Sequence, residues 1–152
     1  MFERKLSQKV RKAVQEFFKK TTLETKVEVE EMTDSSMPVL IQMEEPQILI
    51  GENGRTLFEI QNLLNKFLRK KFKEEFYIDL DINDYKKKKL DYLKDTAKSY
   101  ADDVALSRQE KELKPMSAYE RRIVHIELKD RSDVKTESIG ADPYRKIIIK
   151  PV

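Results

Sequence analysis

The sequence of 152 residues contains no cysteine and only one histidine, His125. Disulfides, thiolate nucleophiles and cysteine-based zinc sites are therefore excluded, and a histidine metal centre has too few ligands. We expect no bound metal or cofactor. The sequence also lacks a run of about 18 apolar residues, and its N-terminus alternates charged with isolated apolar residues. We therefore expect a cytoplasmic protein that does not insert into a membrane.

The charged residues are unevenly distributed. They make up 39% of the chain, as do hydrophobic residues, which is the balance of a globular protein. Residues 83–152 contain 17 basic and 13 acidic side chains, whereas residues 1–82 contain 14 and 15. The second part is therefore the basic one. Such an excess is also common on ordinary surfaces, so charge alone identifies no polyanion partner.

Apolar periodicity predicts the elements of the first part of the chain. A helix at residues 3–20 is followed by strands at 25–32 and 37–43. A short apolar segment at 46–50 then leads into Gly-x-x-Gly at 51–54, a helix at 55–72 and a strand at 75–82. The apolar stripe of the first helix contains Leu6, Val10, Ala13 or Val14, and Phe17, and that of the second contains Leu57, Ile60, Leu64, Phe67 and Leu68.

The periodicity changes from two to 3.6 near Asn83 and Asp84, and we place a domain boundary after residue 82. A long amphipathic helix follows, and then a short segment at 110–115. Ser117 and Glu120 form a capping-box pattern that predicts a helix to about residue 129. Two strands complete the chain. The sequence thus predicts an α+β fold of two small α/β modules, residues 1–82 and 83–152.

The glycines at positions 51 and 54 precede a helix, and this context gives them functional interest. Backbone amides at such a turn and helix N-terminus form a positive concavity that holds phosphate. Glycine also lets a nucleic-acid backbone approach without a Cβ in the way. The alternative is a tight Asn-Gly turn whose glycines only permit positive φ.

The segment 119–125, YERRIVH, carries Arg121 and His125 one helical turn apart. With Tyr119, Ile123 and Ile126 on one side of the helix, the pair falls on roughly the opposite side, which we interpret as an outward face. Together, a guanidinium fork and an imidazole donor can hold one phosphate. The alternatives are a solvated polar face, or a histidine whose ring packs partly against a neighbouring strand.

Four consecutive lysines, Lys86 to Lys89, occupy the first turn of the long helix. Positive charge there opposes the helix dipole, and a nearby phosphate would reverse the sign of that effect. Lys87 and Lys88 are therefore candidates for an electrostatic contact with nucleic acid. Plain solubility, with a weak helical pair between Lys87 and Asp91, explains the block equally well.

In its order of elements, the first part of the chain resembles a type II KH domain, with helix, strand, strand, helix, helix and strand. KH domains clamp about four single-stranded nucleotides on the GxxG loop and an apolar groove. The resemblance implies nucleic-acid contacts by Ile50, Gly51, Glu52, Asn53, Gly54, Arg55 and Thr56. The inner loop positions, often basic in KH domains, are Glu52 and Asn53 here, and the carboxylate repels phosphate.

The segment LKPMSAYERRIVH, followed by TESIG and DPYRKIII, resembles the Arg-x-x-x-His domain, which binds single-stranded nucleic acid. The resemblance implies a helix, strand, helix, strand, strand order and contacts by Arg121, Arg122, His125, Ser138 and Arg145. A KH domain followed directly by this domain is similar to the bacterial Jag family, also called KhpB or EloR. The additional N-terminal domain and linker of that family have no counterpart in these 152 residues.

These features lead us to expect a non-enzymatic protein that binds single-stranded RNA, or single-stranded DNA, as a regulator in bacteria. A nuclease or phosphotransferase using His125 as general acid or base would need an acidic metal cluster or a second histidine, and the sequence offers neither. The alternative is a protein-interaction scaffold with weak nucleic-acid binding. Its partner would be another KH protein, a second copy of the chain, or a regulatory partner at the cell envelope.

Overall fold

A computed structural model describes residues 2–152, and the side chains from Arg4 onward. The chain divides into two compact units between Lys86 and Lys87. The boundary after residue 82 stays a prediction. None of the helices within residues 2–152 is both long and apolar enough to span a bilayer.

The first unit has the predicted order of helix, strand, strand, helix, helix and strand. Its elements are α1 (Phe2–Lys19), β1 (Lys26–Val29), β2 (Ser36–Gln42), α2 (Gln47–Ile50), a 3-10 turn (Glu52–Gly54), α3 (Arg55–Phe72) and β3 (Tyr77–Ile82). β2 lies at the centre of the sheet, antiparallel to β1 and parallel to β3. α1 and α3 contact the sheet and each other.

The core of this unit differs from the predicted stripes in two aromatic positions. Phe18 is buried, whereas Phe17, predicted for the α1 stripe, is only partly buried. Val14 and Phe18 are four residues apart and therefore lie on the same face of α1, whereas Phe17 lies beside that face. Phe67 of α3 is 39% exposed for the same reason, since Leu64 and Leu68 take the central positions.

Side chains of α3 cover the free edge of β3. Asn65 Oδ1 accepts a hydrogen bond from the Ile78 amide at 2.7 Å, and Gln61 Oε1 accepts one from the Leu80 amide at 2.9 Å. These amides point away from β2 and would otherwise be unpaired at an edge. Because these bonds fix the position of α3 on the sheet, they also fix the glycine turn from which α3 begins.

The second unit also has the predicted order, with helix, strand, helix, strand and strand. α4 (Tyr85–Ser107) begins at the end of the first unit, and is followed by β4 (Lys111–Glu112), α5 (Ala118–Leu128), β5 (Val134–Ile139) and β6 (Lys146–Pro151). The sheet is antiparallel in the order β4-β6-β5. Its core contains Ala97, Ala101, Val104, Leu113, Val124, Leu128, Val134, Ile147 and Ile149.

Candidate nucleic-acid interface

The start of α5 is fixed by the predicted capping box. Ser117 Oγ accepts from the Glu120 amide at 3.3 Å, and Glu120 Oε2 accepts from the Ser117 amide at 2.8 Å. Burial raises the pKa of Glu120, but hydrogen bonds from Lys89 and Ser117 outweigh it, so the pKa is lowered overall. The charged carboxylate therefore caps α5 near neutral pH and fixes the helix immediately before Arg121.

The Arg121 side chain is buried, with 7% of the residue exposed. Its Nη1 donates to the Met116 carbonyl at 2.7 Å and lies 3.4 Å from Asp142 Oδ1. Within residues 2–152, the hydrogen bonds found for this guanidinium all use Nη1. Nε and Nη2 therefore retain N–H groups that can be offered to an anion.

The prediction that Arg121 and His125 share an outward face is wrong. Val124 and Leu128 are buried in the core of the unit, three and seven residues after Arg121, and so place it on the inward side of α5. Tyr119 and Ile126, predicted to lie opposite the pair, are 62% and 49% exposed. The pair therefore lies where α5 meets the sheet.

His125 is half-buried, and its Nδ1 lies 2.6 Å from Thr136 Oγ1 on β5. The alternative of a ring packed against a neighbouring strand is thus confirmed. Burial lowers the pKa of His125 below 6.5, and the positive charge of Arg121 lowers it further. His125 is therefore neutral at pH 7. Because the unfolded chain takes up this proton more readily, the stability contributed by the neutral ring is lost as pH falls through 6.5 towards the lowered pKa.

Arg145 extends the same site along β5. Its Nε donates to Ser138 Oγ at 3.0 Å. Ser138 and Thr136 are two residues apart on the strand and point to the same face. The Arg145 carbonyl accepts from the Met116 amide at 3.1 Å, and the Met116 carbonyl accepts from Arg121. We call Arg121, His125, Thr136, Ser138 and Arg145 the α5–β5 cluster.

In the other unit, the Gly51–Gly54 loop has the backbone geometry that requires glycine. Gly51 has φ 71° and ψ −176°, and a Cβ added there would lie 2.1 Å from Thr56 Oγ1. Gly54 is the N-cap of α3, with φ 79°, and no side chain within the described residues caps this helix. The Arg55 amide, the first of α3, donates to the Glu52 carbonyl of the preceding 3-10 turn.

Of the other residues predicted for this loop, Ile50 is buried, Thr56 is half-buried, and Glu52, Asn53 and Arg55 are exposed. Glu52 and Arg55 thus stand at the loop with opposite charges.

Comparison with known proteins identifies both units. Residues 9–90 match the family model of the KH domain, and residues 91–151 match that of the Arg-x-x-x-His domain. An RNA-binding protein KhpB of Clostridium symbiosum is 33% identical over 77% of this chain and 53% of its own length. The chain belongs to the Jag (KhpB) family.

Further relatives agree with this assignment. The RNA-binding protein KhpB of Lactiplantibacillus plantarum is 32% identical over 67% of this Jag-family chain and 32% of its own length. That of Bacillus subtilis is 29% identical over 70% of the chain and 52% of its own length. The Jag-family chain thus spans about a third to a half of the length of the curated relatives it matches.

The four lysines at the start of α4 differ in whether they contact other side chains. Lys86 Nζ contacts Asp79 and Gln61, and Lys89 Nζ lies 2.9 Å from Glu120. Lys87 and Lys88 are exposed, and the predicted pair of Lys87 with Asp91 is not among the ion pairs found within residues 2–152. Lys87 and Lys88 are therefore the two lysines of the block available to an external anion.

Arg122 is exposed on α5 and, at 100° per residue, lies about 60° around the helix from His125. The sequence interpretation missed Thr136, Asp142 and the Met116 carbonyl. Alternation along β5 would have paired Thr136 with Ser138. Nothing in the sequence indicated that Asp142 contacts Arg121, since the two are 21 residues apart.

Proposed function

We propose that this chain is a non-enzymatic protein that binds single-stranded nucleic acid, RNA in the first place, as a regulator in bacteria. The α5–β5 cluster is the observation that carries the proposal, because it gathers Arg121, His125 and Arg145 at one edge of a sheet. The matches to both domain families and the printed names of the KhpB relatives support it. The cytoplasmic location, and a KH protein or second copy as partner, stay predictions.

In this proposal the cluster holds a phosphate of the strand. Arg121, kept in place by the Met116 carbonyl, donates from Nε and Nη2. His125, oriented by Thr136 through Nδ1, donates from Nε2. Hydrogen bonds from charged donors to phosphate are short and strong, and a guanidinium can make two in parallel. Exposed Arg122 adds charge beside the cluster.

The Gly51–Gly54 loop makes a second, weaker contact. Its glycines allow the nucleic-acid backbone to approach the N-terminus of α3, which no side chain within the described residues caps, as in other KH domains. The exposed carboxylate of Glu52 repels phosphate, and Arg55 offsets it. We therefore assign most of the phosphate affinity to the α5–β5 cluster, with Lys87 and Lys88 contributing through long-range attraction.

Fluorescence anisotropy with three labelled 12-nucleotide ligands tests the proposal. The ligands are a single-stranded RNA, a single-stranded DNA of the same sequence, and the RNA duplex. We expect the full chain to bind the single strands more tightly than the duplex, since stacking and GxxG contacts need unpaired nucleotides. Absence of binding, or equal binding of the duplex, would contradict the proposal.

The affinity for RNA should increase when Asp142 is replaced by asparagine. The Asp142 carboxylate lies 3.4 Å from Arg121 Nη1 and competes with phosphate for the guanidinium. The carboxylate is exposed, so we expect a gain of about threefold at low salt that decreases as salt is added. Asp103→Asn, which removes the partner of Lys111 in the same unit, is the control for net charge. An equal gain in both variants would mean that the Asp142 contact has no local effect.

The affinity should also depend on pH through His125. Its lowered pKa leaves the ring neutral at pH 7, and protonation makes it a charged donor to phosphate. We expect binding of oligouridine, whose bases do not titrate in this range, to strengthen about threefold from pH 7.5 to 5.5. In His125→Gln, which keeps a donor but no titration, the profile should be flat. A rise of the same size in that variant would exclude His125 as its source.

A further inference from the structure

The ring of Tyr144 is exposed in the turn that joins β5 to β6. The residue is 75% exposed, although the backbone around it is held by contacts within the turn. Its amide donates to the Ala141 carbonyl at 2.9 Å. Gly140, earlier in the same turn, has φ 84°. The turn is therefore closed by its backbone, and the fold does not use the aromatic ring.

This turn is attached to the α5–β5 cluster on both sides of Tyr144. Two residues before it, Asp142 contacts Arg121 at 3.4 Å. The next residue, Arg145, donates to Ser138 at 3.0 Å, and its carbonyl accepts from Met116. Tyr144 thus lies between two residues that contact the α5–β5 cluster, Asp142 before it and Arg145 after it.

A single strand presents a base next to every phosphate, and both faces of an unpaired base are available for stacking. Proteins that bind single strands combine cationic groups for the backbone with aromatic rings on which bases stack. Tyr144 supplies an exposed ring of this kind in a turn whose neighbouring residues contact the cationic cluster.

We propose that Tyr144 is a stacking platform that takes one nucleobase of the strand whose phosphate lies on the α5–β5 cluster. The inference rests on the proposed function and deepens it, since it assigns recognition of the base as well as of the phosphate. Stacking is tolerant of base identity because every base has a flat π-face. The site therefore favours single strands over duplexes without reading a particular sequence.

The chain contains a matched control. Tyr92 on α4 is in the same unit and is 74% exposed, and it makes no hydrogen bond to the turn or the cluster within the described residues. Replacing either tyrosine by alanine removes one exposed ring and no charge. Because both rings are exposed, neither variant should unfold, and thermal denaturation checks this.

The test measures anisotropy of the full chain with a labelled 12-nucleotide RNA and with an oligomer of the same length whose nucleotides lack bases. We expect Tyr144→Ala to weaken RNA binding about tenfold, and Tyr144→Phe and Tyr92→Ala to bind as the unmodified protein does. On the abasic oligomer, Tyr144→Ala and the unmodified protein should bind equally. The salt slope should not change, because no phosphate contact is lost.

Three results would overturn the inference in distinguishable ways. If the unmodified protein binds RNA and Tyr144→Ala binds it equally well, the stacking platform is wrong and the proposed function stands. If Tyr144→Phe loses as much as Tyr144→Ala, the hydroxyl and not the ring makes the contact. If the unmodified protein binds neither ligand, the proposed function fails and this inference fails with it.

Discussion

Replacing Arg121 and His125 together by alanine is expected to lower the affinity for single-stranded RNA by at least about 100-fold. Each side chain makes a hydrogen bond to phosphate in our proposal, and bonds that involve charged groups contribute about 1.5–3 kcal/mol each. The loss of one phosphate contact should also reduce the salt slope for a single strand by about 0.7. Anisotropy at four salt concentrations measures both quantities.

This variant requires controls for stability and for charge. Removing Arg121 leaves the Met116 carbonyl without its donor, so the unfolding temperature should fall moderately. Arg121→Lys keeps the charge but not the fork, and should lose part of the affinity. Lys98→Ala removes one positive charge from α4, where Lys98 pairs with Glu127, and should lose little. Equal losses in Lys98→Ala and Arg121→Ala would contradict a local phosphate site.

Replacing Gly51 by alanine is expected to lower the free energy of unfolding of the KH unit by about 3 kcal/mol. At φ 71° and ψ −176°, Gly51 occupies a backbone region that is essentially restricted to glycine, and other residues there cost about 1–3 kcal/mol. The added Cβ would also meet Thr56 Oγ1 at 2.1 Å, Thr56 Cβ at 2.8 Å and the Thr56 amide at 3.1 Å. Rotation of the threonine side chain relieves only the first of these contacts, so overpacking adds to the strain.

The other two glycines provide graded controls for Gly51. A Cβ on Gly54 would meet the Tyr85 ring at 2.9 Å, and a side chain can move more easily than backbone. A Cβ on Gly140 would have no contact closer than 3.6 Å, so only its φ of 84° is unfavourable. Urea denaturation followed by circular dichroism should rank the losses as Gly51→Ala, Gly54→Ala and Gly140→Ala, in decreasing order. A loss for Gly51→Ala no greater than that for Gly140→Ala would show that the contact with Thr56 is unimportant.

The sequence predicted the order of elements because their signals are local. The alternation in β3 and the capping box at Ser117 and Glu120 depend on residues a few positions apart. The pair Arg121 and His125 was also correctly placed on one helix, and the matches to the KH and Arg-x-x-x-His families agree with the resemblance drawn from the motifs.

The orientation of that pair could not be read from the sequence. α5 has apolar residues on two sides, with Val124 and Leu128 on one and Tyr119, Ile123 and Ile126 on the other. Helical periodicity alone does not say which side meets the sheet. The packing of β6 decides it, since Ile147 and Ile149 join Val124 and Leu128 in the core. The contact of Arg121 with Asp142 depends on the same tertiary arrangement.

The most direct test of the phosphate site is an NMR titration of the ¹⁵N-labelled full chain with a short single-stranded RNA. The account predicts that the Nε–H signals of Arg121 and Arg145 and the amide of Ser138 shift most, with smaller shifts from Gly51 to Thr56. Because RNA binding elsewhere would move other signals, shifts confined to β1 or to the C-terminal half of α4 would contradict it. A saturable set of shifts centred on the α5–β5 cluster would establish that this cluster contacts the strand.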